Sequence, residues 1–348
     1  MTYFNFYGNI IINEVIIMTS KERMLNFFNR KKSDKLPQVE WATWWNLTLD
    51  RWYNTEGLDP TITGKKLMEH FGHDYMSQTW VWNGLGAHCP RVKASGFIND
   101  ADDYEKLRPL IYDDFDYDRY KRHFTQVHEE FELAGDISWF TFDGFFWFPR
   151  NLFGIEDHFY SFYDYPDLYH RICEDRTEHI LKMLDILFDC CEPQFMTWGE
   201  DMSYNHGPML SHEIFNEFIK PYYDRINPVI QKHNTKVIID SDGDITEMVP
   251  WLIDCGCDGI LPLERQAGVD VNKLTAEFPD FFFIGGYDKM VMKYGEEAQA
   301  AEFERIQPSL KRGNFLPGVD HQTPPDVSLE NYYTFCKLLE KACIGAMK

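Results

Sequence analysis

Short apolar runs rich in β-type residues alternate along this chain with longer segments whose apolar positions recur at helical spacing. Gln38–Thr43 is expected as the first strand and Tyr75–Trp82 as the second. Trp139–Phe142, Gln194–Trp198 and Lys236–Ile239 follow, then Gly259–Pro262, Phe281–Ile284 and Phe315–Pro317. Helices are expected at Tyr117–Ala134, Asp167–Cys190, His212–His233, Ile245–Cys255, Glu296–Arg312 and Ser328–Ala346. In Asp167–Cys190, Leu168, Ile172, Ile180, Leu184 and Leu187 share one face, the mark of a helix laid on a core. Eight strands alternating with helices predict an α/β chain folded as a (β/α)8 TIM barrel with extra N-terminal helices. No linker rich in Gly, Ser or Pro divides the chain, and no repeat of about 20–50 residues appears.

The N-terminus changes the domain limits. Asn9–Met18 is an apolar run broken by Asn13 and Glu14. No basic residue precedes it and no small-residue cleavage site follows, so it does not read as a signal peptide. After Met18, Thr19-Ser20-Lys21-Glu22-Arg23 reads as a helix start with Ser20 as its N-cap. Residues 1–17 are therefore expected to be an extension, and residues 18–348 a single barrel domain. No stretch approaches the roughly 20 apolar residues of a membrane span.

Charge narrows the partners. The chain carries 34 Lys+Arg against 56 Asp+Glu, a net charge of −22, which argues against nucleic acid and anionic lipid as partners. The eight cysteines, among them Cys190–Cys191 and the pair Cys255 and Cys257, have no zinc-ribbon spacing. They read as buried small hydrophobes in a reducing, cytoplasmic setting.

Barrel enzymes build their sites at the C-terminal ends of the strands, and here those exits are loaded with polar residues. Asp143-Gly144, Trp147 and Arg150 follow the third strand, and Glu200-Asp201 the fourth. Asp240-Ser241-Asp242-Gly243-Asp244 ends the fifth, Glu264-Arg265 the sixth, Tyr287-Asp288-Lys289 the seventh and Asp320-His321 the eighth. Asp240 and Asp242, on alternate positions, are expected to point the same way. Two carboxylates so placed suit a cation or a proton-transfer pair. An EF-hand reading of the run fails, because its twelfth position is Trp251. Asp244 is expected to cap the helix that follows. His321 is the leading acid–base or ligand histidine, with Asp320 placed to fix its tautomer, and His206 comes second. Trp41, Trp44, Trp45, Phe145, Phe146, Trp147, Phe148 and Trp198 are expected to crowd the mouth, in the core or as an aromatic wall for a flat macrocycle.

Several segments together resemble one family. They are Lys21–Pro37, Gly144–Ile172 around Phe148-Pro149-Arg150, Trp198–Pro221, Val237–Val271, Ile284–Lys289 and Pro317–Tyr332. The chain resembles the uroporphyrinogen decarboxylase superfamily, which also contains cobamide-dependent methyltransferases. The resemblance implies a distorted (β/α)8 barrel. The decarboxylases carry an arginine-bearing loop after the first strand, but Ala42–Asn46 holds no arginine. An acidic mouth would also repel an octacarboxylate by several kT. The methyltransferase branch places a His-x-Cys after the fifth strand and a further Cys near the eighth, together holding a zinc. Here those positions read Asp240-Ser241-Asp242 and Val319.

The resemblance therefore implies corrinoid-linked methyl transfer on a small-molecule or tetrapyrrole substrate, with a corrinoid protein as a partner. Asp240, Asp242 and His321 are expected as the catalytic centre and as ligands for zinc or another divalent metal. Asp143, Trp147, Arg150, Glu200, Glu264, Asp288, Lys289 and Asp320 are expected as substrate contacts. Decarboxylation of a tetrapyrrole and a non-catalytic corrinoid-binding barrel stand as alternatives. Tyr332, Tyr333 and Phe335 are read as surface aromatics of a homodimer.

Overall fold

The computed structural model describes residues 18–82, 96–113 and 115–347. The expected extension, residues 1–17, lies outside them. The architecture is a curled, seven-stranded, all-parallel sheet whose strands pair in chain order. They are β1 (Met76–Val81), β2 (Ile137–Asp143), β3 (Phe195–Gly199), β4 (Lys236–Asp240), β5 (Gly259–Leu261), β6 (Phe282–Tyr287) and β7 (Phe315–Val319). β2 and β6 are buried along their whole length, as strands of a parallel sheet covered on both faces must be.

The first expected strand is absent. Gln38, Val39 and Glu40 are buried but form no ladder. The Trp41 indole N–H, rather than a backbone N–H, donates to the Val319 carbonyl at 2.8 Å. Thr43 then turns into the left-handed region at φ 58°, which ends extended chain. One parallel bridge, Trp44 to Thr323, is the only strand-type pairing of this stretch among the described residues, and the Gln322 side chain donates to the Ala42 carbonyl at 3.2 Å beside it. Its other flank receives the Asp74 N–H on the Gln38 carbonyl at 2.7 Å. Residues 38–44 thus lie between β7 and the entrance to β1 as irregular chain.

The helices follow the apolar periodicity, with shifts where local chemistry intervenes. His212–His233 is two helices, His212–Phe218 and Lys220–Gln231, divided just before Pro221. Asp244 does not cap a helix from Ile245; its carboxylate accepts the Thr246 N–H at 3.1 Å and the helix spans Val249–Asp254. Thr19, not Ser20, caps Ser20–Phe28, in a reciprocal capping box with Glu22. The Ser20 hydroxyl instead donates to Asp74 at 2.7 Å.

Tyr332 and Phe335 are buried, packed at 5.7 Å from each other on the inner face of the C-terminal helix Leu329–Gly345. They supply no dimer surface. The sequence pattern placed them outside because aromatics at helical spacing do not declare which face is inward. Among the described residues no helix is long and apolar enough to cross a membrane.

Candidate functional site at the strand exits

Three side chains from three strand exits converge. Asp242 follows β4, Glu264 follows β5 and His321 follows β7. Each offers one donor atom, and these atoms all lie within 4.8 Å of one another. His321 Nε2 is 3.7 Å from Asp242 Oδ2. The Gly243 N–H donates to Glu264 Oε2 at 2.9 Å and so fixes the loop after β4 against the exit of β5. Gly243 has φ +87°, and a Cβ there would meet the Tyr204 backbone at 2.7 Å, so glycine alone fits. The Ser203 hydroxyl donates to the Asp242 carbonyl at 2.6 Å and closes the loop from the other side. Trp41 packs edge-on against the His321 ring, 6.2 Å between centroids, and steadies it.

The electrostatics are one-sided. Burial, then Asp201 and Glu264, push the Asp242 acid up to about 7 against the pull of Lys289. Burial pushes Asp201 and Asp240 up as well, with their carboxylate neighbours adding to it. Burial and Lys289 lower the His321 imidazole, which keeps the ring neutral at neutral pH. Four acids therefore crowd one corner of the mouth, an arrangement that gains from a cation or from shared protons.

Asp240 does not join the converging group. β4 ends at Asp240, and the alternation of a strand ends with it, so Asp242 is swung by the loop toward Glu264 and His321. Asp320 does not hold the His321 tautomer either. Its buried carboxylate accepts the Arg265 N–H at 3.0 Å, the Lys289 N–H at 3.1 Å and the Lys289 ammonium at 3.3 Å. It ties three strand exits together, with its acid pushed up to about 6 by burial. Lys289 is further used by Gln266 Oε1 at 2.9 Å. Asp288 caps the turn at Met290 at 2.9 Å and accepts from Gln266 at 2.7 Å.

Glu200 is structural rather than a substrate contact. Its carboxylate accepts the N–H groups of Phe145, Phe146 and Trp147 at 2.8–2.9 Å and the Tyr223 hydroxyl. Burial pushes its acid up to about 8 despite those donors. Asp143 is buried at the end of β2, its carbonyl accepting from Arg176 at 3.1 Å. Arg150 lies over the Trp147 ring at 4.8 Å and lowers the Asp201 acid. These two remain as mouth residues.

The aromatic wall is thinner than the sequence suggests. Phe145, Phe146, Phe148 and Trp198 are fully buried, Trp44 nearly so, and only Trp45 is 41% exposed, with Trp41 and Trp147 half-buried. His206 sits exposed beside Tyr204, edge-on at 5.7 Å. Six of the seven described cysteines are buried, and none enters the cluster. The sequence reading took Glu264 as a substrate contact and passed over Gly243. The signal for both lies in the sequence: Gly243, directly after Asp242 in the loop beyond β4, marks a turn back toward the neighbouring exit.

Comparison with known proteins bears on the fold and the family. A methyltransferase from Methanosarcina mazei superposes with a TM-score of 0.63 at 13% identity, covering 93% of this chain and 99% of that one. A broad specificity endoglucanase from Clostridum cellulovorans gives 0.47 at 12% identity, covering 94% and 97%. A B12-independent methionine synthase from Shewanella gives 0.36 at 8% identity, covering 65% of each chain. At these identities the first superposition speaks to the fold alone, and the other two carry no argument. No curated protein matches the sequence. The profile of the uroporphyrinogen decarboxylase (URO-D) family, in contrast, matches residues 152–342, which contain Asp242, Glu264 and His321. With more than half its length matched in this way, the chain belongs to the uroporphyrinogen decarboxylase (URO-D) family.

Proposed function

We propose that this chain is a methyl-transfer enzyme with a corrinoid as co-substrate, and that Asp242, Glu264 and His321 form its chemical centre. The convergence of those three donor atoms within 4.8 Å at neighbouring strand exits carries the reading. Family membership and the fold shared with a methyltransferase support it.

The residues can do the following. Neutral His321 accepts the acceptor's proton at Nε2, and Asp242, 3.7 Å away, stabilises the imidazolium that results. Glu264 is held in place by the Gly243 N–H and brings a second carboxyl group to the centre. Arg150, over the Trp147 ring, makes no ion pair among the described residues and is a cation available for a substrate carboxylate. Positioning would then let the deprotonated acceptor bond to the methyl carbon in line as the carbon–cobalt bond breaks, the electron pair leaving with the corrinoid co-substrate.

The same three groups fit a divalent metal. Tetrahedral donors on bonds of about 2.0–2.1 Å stand about 3.3 Å apart. The observed donor atoms lie within 4.8 Å of one another, with His321 Nε2 3.7 Å from Asp242 Oδ2, wider than that value. Two carboxylates and one imidazole favour zinc or a harder ion and leave a coordination position open. Such an ion supplies Lewis acidity that lowers the acceptor's pKa.

Decarboxylation of a tetrapyrrole is the second reading, favoured by the family match itself. The acids Asp201 and Asp240 suit a cationic pyrrole intermediate.

The test is demethylation of methylcob(III)alamin by a thiol, followed by the change in its visible spectrum. The proposal expects turnover that D242N and H321A reduce by about 100-fold or more. Release of carbon dioxide from uroporphyrinogen without any demethylation would overturn it in favour of the second reading. No reaction with either substrate, with corrinoid still bound, would favour a binding barrel.

A further inference from the structure

At the opposite end of the sheet from the strand exits lies a cavity of about 300 Å³ with the reverse charge. Arg30, Lys31, Lys32 and Lys35 form one wall, on the chain that leaves helix Ser20–Phe28. Lys311 and Arg312 form the other, on the turn between helix Glu296–Leu310 and β7. None of the described lining residues is acidic, although acids outnumber bases by 56 to 34 in the chain.

Most of these cations are uncommitted. Arg23, also at the cavity, is neutralised by Asp34 and Asp74, each at 2.7 Å. Arg30 is engaged: its guanidinium donates to the Pro279 carbonyl, lies over the Phe282 ring at 5.5 Å and faces the fully exposed Asp280 at 3.6 Å. Arg312 donates to the Thr275 hydroxyl at 3.2 Å. Lys31, Lys32, Lys35 and Lys311 make no ion pair among the described residues.

A helix-dipole explanation accounts for little of this. Cations at helix C-termini are favoured, but the effect fades outside the last turn. Neither flanking helix has a basic residue in its last turn. Lys311 is the C-cap of Glu296–Leu310, where the dipole does favour it, whereas Lys32 and Lys35 lie well past the end of Ser20–Phe28. Gathering like charges around one concavity is unfavourable by itself. A bound polyanion reverses that balance. The cavity volume sits at the small end of ligand sites, and Phe27, Leu36 and Met347 give it an apolar floor.

We propose that this cavity is a binding site for a small molecule bearing two or more linked phosphate groups, separate from the chemistry at the mouth. Lysine ammonium groups act as point charges toward phosphate and need no planar partner, unlike an arginine–carboxylate fork. The field of the surrounding acidic surface directs anions away from the rest of the molecule and toward this one opening.

The experiment is titration calorimetry of the full chain with sodium tripolyphosphate at physiological ionic strength, with citrate as the carboxylate counterpart. The proposal expects one tripolyphosphate per chain, citrate at least about tenfold weaker, and a rise in Tm with tripolyphosphate concentration. A K35E/K311E variant, shown folded by circular dichroism, is expected to bind tripolyphosphate at least about tenfold more weakly. Absence of saturable binding, citrate binding as tightly as tripolyphosphate, or undiminished binding by K35E/K311E would each overturn it.

Discussion

The backbone N–H of Gly243 donates to Glu264 at 2.9 Å, and this bond sets the geometry of the mouth. It couples the loop after β4 to the exit of β5, and Asp242, one residue before, reaches His321 from that loop. The φ of +87° at Gly243 and the approach of the Tyr204 backbone make the position intolerant of a side chain. G243A is expected to cost about 2–4 kcal/mol, from backbone strain and overlap together. It should also lower activity by more than tenfold. Urea denaturation measures the first part, and wild-type stability in G243A would contradict it.

A second glycine is fixed by a different contact. A Cβ on Gly144 would fall 2.1 Å from Glu200 Oε1. Glu200 cannot yield, because its carboxylate holds three backbone N–H groups and the Tyr223 hydroxyl in the core. G144A is expected to destabilise by about 2–4 kcal/mol, and E200A by about 3 kcal/mol or more through unsatisfied buried donors. E200Q, which keeps one acceptor oxygen, should fall between E200A and wild type in chemical denaturation. Equal stability of E200A and wild type would exclude the capping role.

Glu40 gives the fold a pH dependence with a definite sign. Its carboxyl is buried, accepts the Tyr332 hydroxyl at 2.7 Å, and leaves Oε1 without a partner. Burial pushes its pKa up to about 8 from an ordinary 4.5. The folded chain therefore holds a proton that the unfolded chain releases. Its contribution to stability falls as pH rises from about 4.5 to 8, by about 1.4 kcal/mol per pH unit. E40Q removes that slope. The difference in unfolding free energy between E40Q and wild type should be near zero at pH 4.5 and should favour E40Q at pH 8. A difference that stays constant with pH would contradict the assignment.

Asp240 and Asp242 are expected to separate in function although two positions apart. D242N removes a member of the converging group, whereas D240N changes a neighbour outside it. Activity measured side by side should fall about 100-fold or more for D242N and less than about tenfold for D240N. Equal losses would show that the strand alternation, not the loop, sets the centre.

Much of the architecture was legible because apolar periodicity and burial coincide. Seven of eight expected strands are present with ends shifted by a few residues at most. The missing one, around Gln38–Thr43, reads as β because apolar Val39 and Trp41 alternate with polar Gln38 and Glu40. Its pairing is lost to the Trp41 side chain, which takes a carbonyl a ladder would have used, and periodicity does not encode that. The helices Asn46–Thr55, Ala101–Tyr112 and Ile155–Asp164 went unread, since their apolar stripes are short and diluted by charge.

The site was legible as a set of strand exits but not as a set of contacts. Asp242 and His321 could be placed at neighbouring exits from the sequence. That Glu264 rather than Asp240 completes the group depends on the turn at Gly243. That Asp320 serves Arg265 and Lys289 rather than His321 depends on which way one buried carboxylate points.

The most direct measurement is titration calorimetry of zinc(II) into chelator-treated protein, comparing wild type with D242N, E264Q, H321A and D240N. The account predicts one ion per chain, with affinity reduced about 100-fold or more in D242N, E264Q and H321A and nearly unchanged in D240N. Absence of stoichiometric binding in the wild type, or a loss in D240N as large as in E264Q, would contradict it.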